Sequence, residues 1–529
     1  MTDTLTSLID RRHPLYNENL PHWNFLEATY EGGRAWFKDN IFRYLKEGDE
    51  EYAGRVKRAY RFNHTRQVVD LIDKYLFKQP IHRSEDAPEE IAAFWKNATL
   101  SGLNMDNFSR RISNSTSKFG RVWVVVDSTL TAQDDEAVSK ADEKKQGARV
   151  YAYIVKPQDA LDMSYDEMGR LNWILFREMV RDDADPLNAT GKYLERFRLW
   201  TRDSWFLIGE ERYGRHLRRS RYAMLAQGKH DLGVVPVVQA DHVLSEELYE
   251  TQGLIDDIAY LDRANANYLS NLDAIIQDQT FSQLTMPAQG LMPGDDMHQK
   301  LVEAGTKRIF TYNGEAGQKP EFISPDPRQA SMILAAVGKI INEIYHSVGL
   351  SAERTKDDNG GGVDNSSGVA KAYDFERVNS LLAAKSASLE QTEIRILALV
   401  MLWKGQETVP ADVAELLAYP KKFDTRSLYD EFEIGARLSL LAAPDEVRRK
   451  QMLQVVEKLF PAMSKSDRKV IEAAIKKWPP DPIEQAQKMA KATGSLPGTE
   501  KGGDSNANKG GDPVRAAATQ KTAKEMVAS

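Results

Sequence analysis

The sequence predicts an α+β chain of more than one domain, and three observations carry that expectation. Segments with apolar residues at three-to-four spacing open and close the chain. Between them, from Arg121 to about Val238, lies a block of short β-branched and aromatic runs split by turn residues. At 529 residues the chain is also too long for one compact core.

In order along the chain, HWNFLEATYEGGRAWFKDNIFRYL reads as helix interrupted at Gly32 and Gly33, and DEEYAGRVKRAYRFNHTRQVVDLIDKYLFKQP as helix ending by Pro80. RVWVVVDS, ARVYAYIVKP, LNWILFRE, YLERFRLWT and DSWFLIG read as strands, and HDLGVVPVVQA closes the block. A charged insert, LTAQDDEAVSKADEKKQGA, separates the first two strands as an exposed loop. Leu244 to Asp278 reads as one helix, ~52 Å long. Its apolar stripe is Leu254, Ile258, Leu261, Tyr268, Leu272 and Ile276. Around the stripe, eight acidic residues (Glu246, Glu247, Glu250, Asp256, Asp257, Asp262, Asp273 and Asp278) face the single base Arg263. A merely solvated face is the plain reading of that imbalance.

A small insert over 279–327 holds turns and two strands, KRIFTY and PEFIS. Arg328 to about Leu350 is a second helix, and Asp364 to Lys404 a third, ~60 Å if straight. GGGVDNSSGVA lies between them. Its glycines are not a phosphate loop, because five residues separate Gly362 from Gly368 and Val369 stands where lysine is required. The stretch is a flexible connection. Helices this long beside a fifty-residue insert call for neighbouring subunits to complete their core. YDEFEIGARLSLL, PDEVRRKQMLQVVEKLF and KSDRKVIEAAIKKW form a last helical region ending near Trp478, and the Gly, Asn and Ser-rich tail beyond Pro479 is expected to be disordered.

Composition narrows the function. The chain carries 71 Lys and Arg against 78 Asp and Glu, a formal charge of −7 that argues against a surface gripping nucleic acid tightly. It has no cysteine, which excludes disulfides, thiolate zinc sites and cysteine nucleophiles. The start lacks the apolar core of a secretory signal, and no run approaches the ~20 apolar residues of a membrane span, so a soluble protein made in the cytoplasm is expected.

Tests for chemistry come back weak. Glu343 and His346 have the spacing of a helical metal pair, but a second pair is missing, and a core or capped histidine explains them. Asp295, Asp296 and His298 sit together in a turn-rich stretch where a loose metal site is conceivable. Arg212 to Arg221 (RYGRHLRRSR) fits a nucleic-acid patch or, more simply, an exposed strand pair turning at Gly214. No zinc-protease, nucleophile-elbow or dinucleotide pattern occurs. No cofactor, metal or enzymatic activity is expected.

Four stretches in this order carry a resemblance: YEGGRAWFKDNIFRYL with YAGRVKRAYRFNHTRQVVDLIDKYLFKQP, then HDLGVVPVV, then SPDPRQASMILAAVGKIINEIYHSVGL, then DNSSGVAKAYDFERVNSLL. Over residues 20 to 475 the chain resembles the portal, or connector, proteins of tailed double-stranded-DNA bacteriophages. The resemblance implies an α+β wing over 1–243, stem helices over 244–278 and 328–350, and a clip over 279–327. It further implies a tunnel loop over 351–365, a long helix over 366–405 returning to the wing, a wing end and crown over 406–478, and a disordered tail over 479–529.

The implied role is a dodecameric homo-oligomer at one capsid vertex of the virion, through which double-stranded DNA enters and leaves. Implied partners are the large terminase ATPase, a head-tail adaptor, and the major capsid and scaffold proteins. On this reading Arg354, Lys356, Asn359, Gly360, Gly361, Gly362 and Asn365 touch DNA in the tunnel. Lys300, Lys307, Arg308 and Lys319 of the clip meet the motor or adaptor, and Asp256, Asp257, Asp262 and Asp273 line the channel. Twelve copies at −7 each would carry −84 formal charges, suiting a wall that does not hold DNA. A non-viral ring or scaffold protein, or a metal-dependent nuclease hidden in the α+β block, is the alternative.

Overall fold

The computed structural model describes residues 2–129, 149–187, 189–211, 221–230, 232–279, 283–287, 309–312, 321–323, 328–350, 368–406, 410–421, 423, 435, 437–438, 444–459 and 465–478. The chain is α+β, as the sequence predicts, and it divides into two compact units, Met1–Thr425 and Arg426–Ser529.

The first unit begins with helices α1 (Thr2–Ile9), α2 (Tyr16–Glu31), α3 (Arg34–Asn40), α4 (Asp49–Arg58) and α5 (His64–Leu76). The break between α2 and α3 falls at Gly32 and Gly33, both at positive φ (69° and 87°), which glycine adopts without a Cβ penalty. The expected helix through FRYL is absent: Ile41 is extended, and the chain turns to meet α4. A short strand β1 (His82–Arg83) and helices α6 (Glu89–Lys96) and α7 (Met105–Phe119) follow.

Strand β2 (Arg121–Ser128) is the centre of the unit. Its apolar run, Val122 to Val126, is wholly buried, which a central strand covered on both faces requires. It pairs antiparallel with β3 (Val150–Val155) and, further along the chain, with β9 (Val237–Asp241). Between those two lies a five-stranded antiparallel meander of β4 (Ala160–Tyr165), β5 (Leu171–Arg181), β6 (Tyr193–Thr201), β7 (Ser204–Glu211) and β8 (Arg221–Lys229). Strands β4 and β8 were not among those the sequence predicts. Residues 212–220, on which the expected strand pair turning at Gly214 falls, lie outside the described residues, as does the charged insert.

Three helices follow: α8 (Ile258–Gln279), α9 (Arg328–Ser347) and α10 (Gly368–Trp403). Between α8 and α9 a small sheet has β10 (Gln283–Pro287) at its centre, parallel to β11 (Ile309–Tyr312) and antiparallel to β12 (Glu321–Ile323). The sequence predicts β11 and β12 but not β10. After α10, α11 (Pro410–Ala414) and β13 (Leu417–Ala418) remain in the first unit, where β13 pairs with β1. The second unit contains α12 (Asp445–Leu459) and α13 (Lys465–Lys476), joined by a hydrogen bond from Arg449 Nε to Trp478 O at 2.7 Å. Residues 479–529 lie outside the described residues. No helix among the described residues is long and apolar enough to cross a membrane.

The single helix expected from Leu244 to Asp278 is a correction. Only Ile258–Gln279 is helical, and residues 244–257 run as an irregular strap. The cause is a close approach to the α7–β2 corner. Leu254 N donates to Ser117 O at 2.9 Å, and a Cβ on Gly120 (φ 76°) would lie 1.8 Å from Thr251 O. Tyr249 is buried there with its ring stacked on His13 at 3.6 Å. These contacts hold the backbone out of helical geometry before Ile258.

Candidate functional site

The elements on which the sequence places function are α8, α9 and α10 with the small sheet and the connection between α9 and α10. Their seating on the N-terminal helices decides what they can do.

One polar face of α8 is docked inside the chain. Asp262 is fully buried; its Oδ2 accepts from Arg61 Nη1 at 3.1 Å and from Thr65 Oγ1 at 2.8 Å. Arg61 stacks over Trp36 at 3.9 Å, and burial lowers the pKa of its guanidinium even beside the carboxylate. One turn on, Asn267 Nδ2 donates to Asn40 O and its Oδ1 accepts from Phe42 N. Ser270 Oγ accepts from Arg55 Nη1 at 3.1 Å. Arg55 holds Glu47 bidentately at 2.6 and 2.7 Å, and that hydrogen bonding lowers the Glu47 pKa. Tyr44 Oη donates to Asn271 Oδ1, and Arg58 pairs with Asp273 at 3.2 Å.

The expected acidic lining is therefore corrected. Asp262 is neutralised inside the fold and faces no channel. Asp273 is about four-fifths covered and paired with Arg58. Asp256 accepts from Gly253 N in the strap and lies 3.7 Å from His22. Of the four, Asp257 alone is exposed. Of the expected apolar stripe, Ile258 and Leu272 are buried and Leu254 and Leu261 pack against the core, joined by Ala266 and Leu269, whereas Tyr268 and Ile276 are 39% and 50% exposed.

Helix α9 packs along α8, and its second half is fixed. Val337, Ile341, Ile344 and Tyr345 are buried, and Tyr345 Oη donates to Gln67 Oε1 at 2.7 Å. Its first half stands clear, with Met332 69% and Leu334 53% exposed. The helix closes at Gly349 (φ 74°), whose amide donates to His346 O while Leu350 N donates to Tyr345 O, a left-handed cap that ends the spiral. The space beside Gly349 is filled by Arg377 and Val378 of α10. His346 Nε2 lies 3.3 Å from Arg377 Nη1, so the Glu343–His346 pair is not a metal pair here. Among the described residues no group of three or more His, Asp or Glu could hold a metal ion.

Helix α10 is tied to the body by buried polar groups that sequence reasoning missed. Lys385 is fully buried and donates from Nζ to Ser113 O (2.9 Å), Ser117 Oγ (2.7 Å) and His242 Nδ1 (2.9 Å). Burial pushes its pKa down to about 8. Burial likewise raises Asp73, and burial followed by the Lys385 charge lowers His242 well below the ordinary imidazole range. Two turns on, Glu393 accepts from Arg83, Trp95 Nε1 and Tyr419 Oη at 2.6–2.9 Å. A lysine among small residues, AAKSAS, is the one sequence signal that pointed to a buried cation.

The tunnel-loop candidates Arg354, Lys356, Asn359, Gly360, Gly361, Gly362 and Asn365 lie outside the described residues. So do the clip candidates Lys300, Lys307, Arg308 and Lys319, and the stretch of Asp295, Asp296 and His298.

No protein-family model matches the chain, and no curated protein does. Among solved structures it is similar to the neck of an empty gene transfer agent particle computed with C6 symmetry. That likeness has 11% identity and a TM-score of 0.36, over 78% of this chain and 99% of the other. The virion of a native gene transfer agent particle is similar at 9% identity and a TM-score of 0.35, over 82% and 96% of the two chains. The neck of the native particle computed with C12 symmetry gives 10% identity and 0.35, over 71% and 85%. Likeness of this degree leaves the function to the chain's own residues.

Proposed function

We propose that the chain is a ring-forming portal subunit of a tailed-phage-like particle. Twelve copies would form a channel for double-stranded DNA at one vertex of the virion. The observation that carries this is the α8–α9 pair, with the small sheet inserted between its two helices and apolar residues uncovered beside that insert. Ile276 near the end of α8 and Met332 and Leu334 near the start of α9 are each at least half exposed in the single chain. Burying the exposed half of three such side chains against a neighbour contributes roughly 1–2 kcal/mol apiece. The same contact repeated around an axis closes a ring.

In that arrangement α8 and α9 are the stem and the 279–327 insert is the clip. The clip bases Lys300, Lys307, Arg308 and Lys319 meet the terminase ATPase and later the adaptor. Residues 351–365 enter the lumen, where Arg354, Lys356, Asn359 and Asn365 touch phosphates in passing, and the protein performs no chemistry. Capsid and scaffold proteins would contact the outer wing.

Negative-stain microscopy with light-scattering mass tests the assembly. Rings with a central hole are expected, and Met332→Asp with Leu334→Asp should reduce them to smaller species at an unchanged melting temperature. Rings that persist in the double variant would overturn the stem contact. For the loop, Arg354→Ala with Lys356→Ala should lower packaged DNA while leaving rings intact, and unchanged packaging would remove its assignment. Metal-dependent DNA cleavage by the purified chain would favour a nuclease instead.

A further inference from the structure

Away from the three helices, α7, the 99–101 turn before it, β2, β3, β5 and β6 line an open cavity of about 420 Å³, large enough for a small organic ligand. Its walls are partly aromatic. Tyr151 and Tyr153 lie two apart on β3 and so share a face of the sheet. Their rings are 6.1 Å apart and 26° from parallel. Phe108 of α7 adds an apolar surface.

The cavity wall carries two guanidinium groups, Arg111 and Arg198, and two carboxylates, Asp127 and Glu178. Arg111, an exposed residue of α7 on the cavity wall, makes no hydrogen bond or ion pair among the described residues. Arg198 donates from Nε to Glu178 Oε1 at 2.5 Å and its guanidinium stands 5.5 Å from the centre of the Trp205 ring; its terminal amino groups make no hydrogen bond among the described residues. The Tyr153 hydroxyl has no such partner either. The Asp127 acceptors are engaged: Oδ1 accepts from Ser128 N at 2.7 Å and Oδ2 from Tyr151 Oη at 2.9 Å. Two guanidinium groups with spare planar donors match the geometry of a carboxylate or phosphate, and tyrosine faces accept a flat ring.

We propose that this cavity binds a small planar molecule bearing an anionic group, with the anion on Arg111 and Arg198 and the ring against Tyr151 and Tyr153. This site does not depend on ring assembly and goes beyond the conduit role. Calorimetric titration of the full chain with 4-hydroxybenzoate, adenosine monophosphate and inorganic phosphate tests it. At least one ring-bearing anion should bind roughly tenfold or more tightly than inorganic phosphate, and the tighter of the two separates a carboxylate from a phosphate source. Arg111→Gln should weaken that binding by roughly tenfold or more, the loss of a charge-assisted contact. Because Arg111 is exposed, an unchanged melting temperature in the variant shows that the fold is kept. Tyr153→Phe, isosteric and uncharged, should weaken binding less. The proposal fails if neither ring-bearing anion binds at millimolar concentration, if phosphate binds as tightly, or if Arg111→Gln leaves affinity unchanged.

Discussion

Replacing Lys385 by methionine sets two large effects against each other, and the geometry gives their sizes. The methionine keeps most of the length and removes the charge. Burial lowers the lysine from an ordinary 10.5 to about 8, so at about 1.4 kcal/mol per unit the buried charge costs about 3 kcal/mol that Lys385→Met avoids. Against this, Ser113 O, Ser117 Oγ and His242 Nδ1 lose their donor in a dry site, at about 1–3 kcal/mol each. The lost donors win, and a net destabilisation of about 3 kcal/mol is expected at pH 7. Spread over the unit Met1–Thr425, with an unfolding entropy of ~2.1 cal/mol/K per residue, that lowers the melting temperature by about 3 °C.

The pH dependence gives a second readout. Between about 8 and 10.5 the unfolded lysine binds more protons than the folded one, so this group makes the wild type more stable as pH rises. Lys385→Met lacks that gain, and the gap between the proteins should widen from pH 7 to pH 10. Tyrosines titrating in the same range act on both proteins and cancel from the gap. Scanning calorimetry at the two pH values measures it. Equal melting temperatures, or a gap that does not change with pH, would refute the buried-ammonium account.

Other outcomes follow from the same structure. Below pH 6.5 the unfolded His242 and His13 take up protons that burial denies the folded ones, so stability should fall as pH drops from 6.5; flat melting temperatures from pH 7 to 5.5 would contradict this. Gly120→Ala needs a left-handed alanine and pushes a Cβ into Thr251 O; a loss of about 2 kcal/mol or more is expected, with faster proteolysis of the 244–257 strap. Arg83→Met strands the buried Glu393 carboxylate and should cost about 3–5 kcal/mol by calorimetry. Arg61→Met does the same to Asp262, and a variant as stable as wild type would show that α8 is not anchored by this pair.

Local pattern was enough to find α9 and α10 to within a few residues, because their apolar periodicity is unbroken and Pro327 and Gly405 punctuate the ends. The central strand was equally plain, since VWVVV has no other good conformation. Strand β8, RYAMLAQGK, was missed because its alanines, methionine and leucine favour helix; pairing with β7 overrides them. Strand β4, ALDMSY, is short and half polar, and is held by β5. The start of α8 was misplaced for a different reason. Periodicity continues through Leu254, and only contact with Gly120 and Ser117, more than a hundred residues earlier, shows that the chain is not helical there.

The same long-range docking changes the electrostatics of the proposed channel. Counting charges along the sequence makes the 244–278 segment a wall of carboxylates. A carboxylate contributes to such a wall only if it is free, because a paired one presents a dipole whose field falls off faster than that of a net charge. Asp262 and Asp273 are spent on Arg61 and Arg58, and Glu250 accepts from Asn19 in the strap. The exposed charged positions on α9 are of mixed sign, Arg328, Lys339 and Glu343. On the proposed portal reading, a lumen built on α8 and α9 would carry little net charge along those two helices and so would not hold DNA, the exposed Glu246, Glu247 and Asp257 lying before α8. Alternating weak attraction and repulsion, screened over about 10 Å at 0.1 M salt, lets a polyanion slide without a deep resting position. The excess acidity that gives −7 per chain must then be carried elsewhere, so DNA transport should depend less on stem carboxylates such as Asp273 than the sequence count implies. Asp273→Asn should lower stability through the lost Arg58 pair by no more than about 1 kcal/mol and leave packaging unchanged; a packaging defect at normal stability would restore the acidic wall.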